Sequence, residues 1–473
     1  MVGKDEGAIV SFALQVKEAL GYYKTIPLAF LGFGFDRAWI ATVFYYDAFS
    51  LSMTDYYLFM LVLGAVSLVC AVRSKKLPSL CSSKAAAWFA LGSMVVGSMM
   101  LICCLAWPST VLKCTGLALG GAGSGVLYLM WADFYGRLTP LSVITYFSLG
   151  VLLGEALKLF FIGLPAGYVQ FLSAALPLLS VGTAVASFRK LDEGQRSVAY
   201  TSLSLRGYPW KPVVIVTLIF FVASYFGNLL DRQNVGHSLG VLTVVLLMLS
   251  VVSPRARLFK VESLNQILLP LLVASFVLFL PLDSPFPEIV GFRLEAAYTM
   301  AFMLIFVVLS SVSYRYGVNP VWLSGIQRAL RSAFEVFGWL LAAAIASTAS
   351  AAISSTAVFV IQIIVLVVFV VAFFTEKGLS VEWQYRFADL SEEKLPAARL
   401  EQRVLEISGA YGLSERETDV LSLLATERSI DQIGEKLFIA PGTVKTHMHR
   451  IYQKLGVRSR VELLEFLADP HAL

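Results

Sequence analysis

Residues 353–384 read ISSTAVFVIQIIVLVVFVVAFFTEKGLSVEWQ. The run Ile353–Phe374 holds no charge, and Glu376 and Lys377 follow directly. A helix needs about 20 mostly apolar residues to cross a hydrocarbon layer roughly 30 Å thick, and this run supplies them. The charged break after it marks where a lipid-buried body hands over to a water-soluble tail. Long apolar stretches dominate from residue 25 to residue 374, whereas the sequence from Thr375 onward has ordinary soluble character. The whole chain of 473 residues is 58% hydrophobic and 15% charged, with a mean hydropathy of +0.75. Soluble domains average roughly 45–50% apolar and about 25% charged.

Working back from that run, twelve stretches qualify as spans: 26–46, 56–72, 86–107, 110–131, 141–163, 168–187, 212–230, 238–253, 264–282, 290–312, 332–349 and 353–374. The first 24 residues carry Lys4, Asp5, Glu6, Lys17, Glu18 and Lys24 with no uninterrupted apolar core, which argues against a cleaved signal peptide. With the N-terminus inside, the inner loops collect Arg73, Lys75, Lys76, Lys84, Arg137, Arg189, Lys190, Arg196, Arg206, Lys211, Arg255, Arg257, Lys260, Arg315, Arg328 and Arg331. The outer loops hold Asp47, Asp55, Asp283 and Glu288, with Arg232 the exception. Positive charge stays on the side of synthesis, so both ends of the chain are expected in the cytoplasm of a bacterial inner membrane. That bias also accounts for the net charge of +5.

The long inner loop 188–211 divides the spans six and six. Tyr135-Gly136, Pro140 and Glu155 recur as Tyr316-Gly317, Pro320 and Glu335, with the glutamate fifteen residues past the proline each time. Two homologous halves related by an axis along the membrane normal would produce this repeat. The arrangement resembles the major facilitator superfamily, which implies two six-helix halves around a central cavity. The loop between spans two and three, Arg73-Ser-Lys-Lys-Leu-Pro-Ser-Leu-Cys81, lacks the glycine and acid of that family's motif, which speaks against active transport.

A charge at the bilayer centre costs about 2.5–3.5 kcal/mol even on insertion scales, so retained charges need a reason. Asp36 and Arg37 interrupt span one, and Glu155 and Lys158 share a face of span five at i,i+3 spacing. They either neutralise one another between helices or line a polar cavity for a small-molecule ligand. Arg293 and Glu295 enter span ten, and Glu335 sits in the first turns of span eleven. Gly116, Gly120, Gly121, Gly123 and Gly125 crowd span four, as close helix packing in lipid requires. The five cysteines (Cys70, Cys81, Cys103, Cys104, Cys114) lack metal-ligand spacing and read as buried, inert thiols.

In the tail, residues from Pro396 to Ile407 can form a short helix with Leu400, Val404 and Ile407 on one face. Ser414 and Glu417 form a capping box ahead of Val420, Leu421, Leu423 and Leu424. Ser429 caps a second helix carrying Ile433 and Leu437. Pro441 opens a third, and Arg458-Ser459 a fourth that runs to about Ala468. On the third helix Val444, Met448, Ile451 and Leu455 make one apolar stripe, leaving Thr443, Lys445, Thr446, His449 and Gln453 outside it. From Pro441 to Arg460 there are five basic residues and no acid, the focused positive field that phosphate binding needs.

These residues closely resemble the LuxR-type helix-turn-helix family. The resemblance runs through Leu413-Ser-Glu-Arg-Glu417, Val420-Leu421, Leu424-Ala425, Ile433, Leu437, Thr443-Val-Lys-Thr-His447 and Ile451-Tyr-Gln-Lys-Leu-Gly-Val457, to Arg460. Glu427 and Gly434 depart from the family's usual glycine and alanine. The resemblance implies that the third helix enters the major groove of double-stranded DNA. Lys445, Thr446 and His449 would then face base edges, and Thr443, Arg450 and Lys454 phosphates. It also implies a homodimer paired through the fourth helix, where Val461, Leu463, Leu464, Phe466 and Leu467 exceed one packing face.

The expected molecule is all-α. It has a cytoplasmic segment 1–25, a polytopic transmembrane sensor domain 26–374, a linker 375–409 and a four-helix DNA-binding domain 410–473. Its expected function is a membrane-embedded transcriptional regulator that couples a small-molecule signal to promoter binding. The alternative is a membrane transporter with a regulatory DNA-binding tail. No nucleophile motif, metal spacing or phosphate-binding glycine loop points to an enzyme, and no cofactor is expected.

Overall fold

The computed structural model describes residues 27–46, 48–75, 79–198, 200, 208–227, 235–251, 287–348, 397–425, 430–457, 462–463 and 466–467. A 3-10 turn, Leu28–Leu31, leads into α1 (Phe33–Phe44). Then follow α2 (Met53–Arg73), α3 (Lys84–Ala106), α4 (Thr110–Tyr135), α5 (Pro140–Phe161) and α6 (Ala166–Arg189). A one-turn helix α7 (Glu193–Arg196) lies on the central loop, and α8 (Trp210–Gly227), α9 (Val235–Val251), α10 (Pro287–Tyr316) and α11 (Pro320–Thr348) continue the bundle. Spans 264–282 and 353–374, the segment 1–25, and Asp47, Arg206, Arg232, Arg255, Arg257, Lys260 and Asp283 lie outside the described residues.

Local chemistry starts these helices. Ser52 accepts from the Asp55 amide and Asp55 returns a bond to the Ser52 amide, a capping box for α2. Ser83, Ser109 and Thr139 cap α3, α4 and α5 through their hydroxyls, and Pro140 sits in the first turn of α5. Among the described residues six helices are long and apolar enough to cross a membrane. Their outward faces carry Leu61, Val69, Trp88, Phe89, Met99, Phe160, Phe171 and Leu178, all exposed, while Asp36, Ser98, Ser124, Thr145, Glu155 and Ser180 are buried. Polar groups inside and large apolar groups outside is the distribution a bilayer imposes. The chain is a multi-pass membrane protein.

Glycines set how closely the first half packs. A Cβ on Gly121 would stand 2.7 Å from the Phe59 carbonyl oxygen of α2, and one on Gly123 2.8 Å from that of Ala90 on α3. α4 therefore lies against both neighbours, as the glycine-rich span predicts. The halves meet along two seams, α2 against α11 and α5 against α9. Numbered as spans, these pair two with eleven and five with eight. A two-fold relation that maps span two onto eight and five onto eleven exchanges the seams. The repeated motifs also touch: Ser313 donates to the Gly136 carbonyl at 3.2 Å, beside Pro320.

Several expectations need correction. The first span contains only a short helix, α1, after its 3-10 turn. The eleventh begins at Pro320, not at 332, so Arg328 and Arg331 are not loop residues but buried side chains of α11. Glu335 accordingly lies well inside that helix. Of the cysteines, Cys81 is buried, Cys103 is exposed and the others are half-buried.

The tail forms its own core. Helices α12 (Ala397–Ala410), α13 (Glu415–Ala425), α14 (Ile430–Leu437) and α15 (Pro441–Leu455) enclose Val404, Ile407, Val420, Leu421, Leu424, Ile433, Val444, Ile451 and Leu455. The helix expected between Pro396 and Ile407 is thus packed into this core, and α12 also touches α7 of the membrane body. Leu463 and Leu467 are buried in the same core, and Phe466 meets Tyr411 edge-on with ring centres 5.6 Å apart. Ser429, Arg458, Ser459, Arg460, Val461 and Leu464 lie outside the described residues.

Candidate functional site

The tail offers one candidate surface, on α15. Pro441 occupies its first turn and Gly456 ends it in the left-handed conformation at φ 71°. Val444, Ile451 and Leu455 face inward, and Met448 is half-buried against them. Thr443, Lys445, Thr446, His449, Arg450 and Lys454 are all exposed. The predicted stripe and its complement are what the fold presents.

The turn before this helix is tight. Phe438 adopts φ 56° and is 94% exposed, and the Ile439 amide donates to the Gly434 carbonyl at 3.0 Å. A Cβ on Gly434 would stand 2.8 Å from the Ile439 carbonyl oxygen. Glycine at that position therefore matches the close return of the chain rather than weakening it.

One predicted contact is already occupied. The Lys454 ammonium donates to Glu417 Oε2 at 2.7 Å and to the Gly412 carbonyl at 2.8 Å. Glu417 also accepts from the Ser414 amide at 2.8 Å, and its own amide donates to Ser414 Oγ at 3.3 Å. The capping box is present as predicted, and Lys454 locks the end of α15 onto it. The Lys454 ammonium and the Ser414 amide draw the Glu417 carboxyl down to about 2. Lys445, Arg450, Thr443 and Thr446 are left facing outward; the Thr446 hydroxyl donates to the Gly442 carbonyl at 3.1 Å.

The membrane body holds a second candidate, a cavity of ≈ 90 Å³ between the halves. All four residues singled out for a ligand, Asp36, Arg37, Glu155 and Lys158, line it. Glu155 is 2% exposed and pairs with Lys158 at 2.6 Å. Asp36 accepts from Ser124 at 3.4 Å. The opposite half adds Glu295, Tyr298, Phe302, Arg328 and Arg331, none of which was assigned to a site from sequence. Arg331 pairs with Glu335 at 2.8 Å and bonds the Tyr298 hydroxyl. Glu295 faces His237 at 3.5 Å. The repeat was the available signal, because Glu155 and Glu335 each carry a cation one helical turn away.

A third feature sits at the loop end of α4. Arg137 pairs with Asp133 at 2.9 Å and donates to the Gln195 and Arg196 carbonyls at 2.9 and 3.1 Å. Asp133 also accepts from Ser79 at 2.5 Å and from the Cys81 amide at 3.3 Å. The loop without its own acid is thus held by an acid from α4, and burial pushes the Cys81 thiol up.

Residues 412–467 match GerE, the bacterial regulatory proteins of the luxR family. Over 64 residues the chain is 44% identical to the probable transcriptional regulatory protein NarL of Mycobacterium tuberculosis, covering 14% of this chain and 29% of that protein. Over 89 residues it is 34% identical to the HTH-type transcriptional regulator MalT of Yersinia pestis, covering 19% of this chain and 10% of that one. The match thus spans less than a third of either relative. The bundle is similar to the crystal structure of a bacterial homologue of the iron transporter ferroportin in its outward-facing state. The TM-score is 0.50 and the identity 13%, over 73% of this chain and 96% of that chain. It is also similar to a Major Facilitator Superfamily transporter, FucP, in the outward conformation, at 12% identity and TM-score 0.45 over 75% of this chain and 99% of that one. Residues 412–467 are a DNA-binding domain of the luxR regulatory family, carried on a multi-pass helical body with a transporter's fold.

Proposed function

We propose that the chain is a membrane-embedded transcriptional regulator in which the helical body senses a small molecule and the tail reads promoter DNA. The observation that carries this reading is the junction of two parts. A luxR-family domain with a fully exposed recognition face is joined to a membrane body whose buried charges line a cavity. Lys445, Thr446 and His449 read base edges, and Thr443 and Arg450 hold phosphates. Lys454 steadies the end of the helix through Glu417 and the Gly412 carbonyl and adds to the field. The tail lies in the bacterial cytoplasm, as the basic inner loops require, and pairs with a second copy on a two-half-site operator.

The path from cavity to tail runs along α4, which carries Ser124 and Tyr128 at the cavity and Asp133 near Arg137. Arg137 holds α7, and α12 touches α7. A ligand moves such a system only by binding one conformation better than the other.

The test is a gel shift with the full chain in lipid nanodiscs. Lys445→Ala abolishes sequence-specific binding while the protein inserts normally; retained specific binding overturns the assignment. The shared fold with solved transporters supports a second reading, a transporter with a regulatory tail, which labelled-substrate uptake into proteoliposomes separates from a pure sensor.

A further inference from the structure

The ion pairs around the central cavity leave two guanidinium groups over. Lys158 is engaged by Glu155 at 2.6 Å, Arg331 by Glu335 at 2.8 Å, and Glu295 faces His237 at 3.5 Å. Among the described residues neither Arg37 nor Arg328 forms an ion pair. Arg328 is 5% exposed and its Nε has no hydrogen-bond partner. Its Nη2 reaches only the Met60 thioether, at 3.6 Å, and its guanidinium lies 5.2 Å from the centre of the Tyr128 ring. A thioether is a weak acceptor, so a buried guanidinium with five donors is left short of partners. Arg37 rests 5.8 Å from the centre of the Phe302 ring and lines the same space. Asp36 and Glu295 are the carboxylates there that no Lys or Arg reaches at ion-pair distance among the described residues; Asp36 accepts from the Ser124 hydroxyl, and Glu295 faces His237. Among the described residues neither carboxylate stands at ion-pair distance from Arg37 or Arg328, so the buried Arg328 guanidinium keeps donors free for an acceptor in the cavity.

We infer that this cavity binds a compact carboxylate monoanion, gripped by Arg328 from one half and Arg37 from the other. The inference rests on the sensing role proposed above and names the class of signal. A carboxylate matches the guanidinium fork in shape and accepts two parallel bonds, which a thioether cannot replace. Size narrows the class. The space is ≈ 90 Å³, smaller than the apolar cavity of about 150 Å³ that takes up benzene. Anions of a few heavy atoms, such as acetate, propionate or lactate, fit without rearrangement. Phe302 lines the same space and offers the apolar wall for a short alkyl end. Because the two arginines belong to different halves, α1 and α11, an anion between them draws the halves together. It is therefore held more tightly in the closed conformation than in an open one, the differential affinity a sensor needs.

The experiment uses the full chain in phosphatidylcholine nanodiscs, read by thermal unfolding with acetate, propionate and lactate, and with acetamide and propionamide as neutral isosteres. A second arm replaces phosphatidylcholine by phosphatidylglycerol with no soluble anion. The carboxylates raise Tm saturably by several degrees and the amides leave it unchanged. Arg328→Gln loses the response. Because that side chain is buried, Arg37→Gln provides an independent check, weakening carboxylate affinity by at least about tenfold in a protein that still unfolds cooperatively. Equal shifts with the amides, wild-type affinity in both variants, or the full shift with phosphatidylglycerol alone would each overturn the inference. A carboxylate-dependent Tm with unaltered promoter affinity in a gel shift leaves the anion site standing and removes the sensing role instead.

Discussion

At the scale of single residues, Glu417 shows what a local motif hides. Its spacing from Ser414 reads as a capping box, and both bonds of that box are present. The sequence does not reveal that Lys454, on another helix, closes on the same carboxylate at 2.7 Å, because periodicity carries no information about distant pairs. This has a consequence for acid stability. A carboxyl group whose folded value is near 2 binds its proton more readily in the unfolded chain, where the value is about 4.3. The contribution is fully present above about pH 4.3 and is lost as pH falls towards 2. Hydrogen exchange of residues 413–455 in the full chain, corrected for intrinsic rates, should show protection falling through that window. Glu417→Gln should lower protection already at neutral pH, by about 2 kcal/mol. Gly434 belongs to the same scale. Gly434→Ala brings a Cβ within 2.8 Å of the Ile439 carbonyl oxygen and should destabilise the turn by about 1–3 kcal/mol, read as faster exchange across α14 and α15.

At the scale of elements, helices were legible wherever one period ruled. The stripe Val444, Met448, Ile451 and Leu455 identified both faces of α15, and the apolar runs located α2 to α6 to within a few residues. The failure was α11. Arg328 and Arg331 resemble the basic end of an inner loop, so hydropathy moved the start of the span past them. The structure shows why the charges belong inside: Arg331 has Glu335 one turn on, and its guanidinium lies 4.0 Å from the centre of the Phe220 ring. A hydropathy window sees the cost of each charge and not its partner. The loop end of α4 makes a separate prediction. Arg137 connects Asp133 to the α7 carbonyls. Arg137→Gln removes the charged half of that link and should leave specific DNA binding intact while reducing its response to carboxylate. An unchanged response in the gel shift would exclude this route from cavity to tail.

At the scale of the whole molecule, the repeat did more than count spans. Tyr135-Gly136, Pro140 and Glu155 and their counterparts in the second half predicted two halves, and the α2–α11 and α5–α9 seams are exchanged by such a relation. What the repeat could not show is how close the seams are. On the α2–α11 seam a Cβ on Gly64 would lie 2.6 Å from Ser332 Cβ, and one on Gly325 2.7 Å from the Ser67 carbonyl oxygen. Contact of that kind leaves no room for a side chain, and packed interfaces respond by switching arrangement rather than deforming smoothly. Gly64→Leu inserts a branched side chain between the halves and should hold them apart. If anion binding and DNA binding are coupled through closure of these halves, the variant inserts and retains a folded tail, yet its carboxylate affinity drops by at least about tenfold. Its promoter affinity becomes that of ligand-free protein whatever the carboxylate concentration. A Gly64→Leu protein that still binds carboxylate and still responds in the gel shift would show that the seam does not move, and the signal would have to travel within one half.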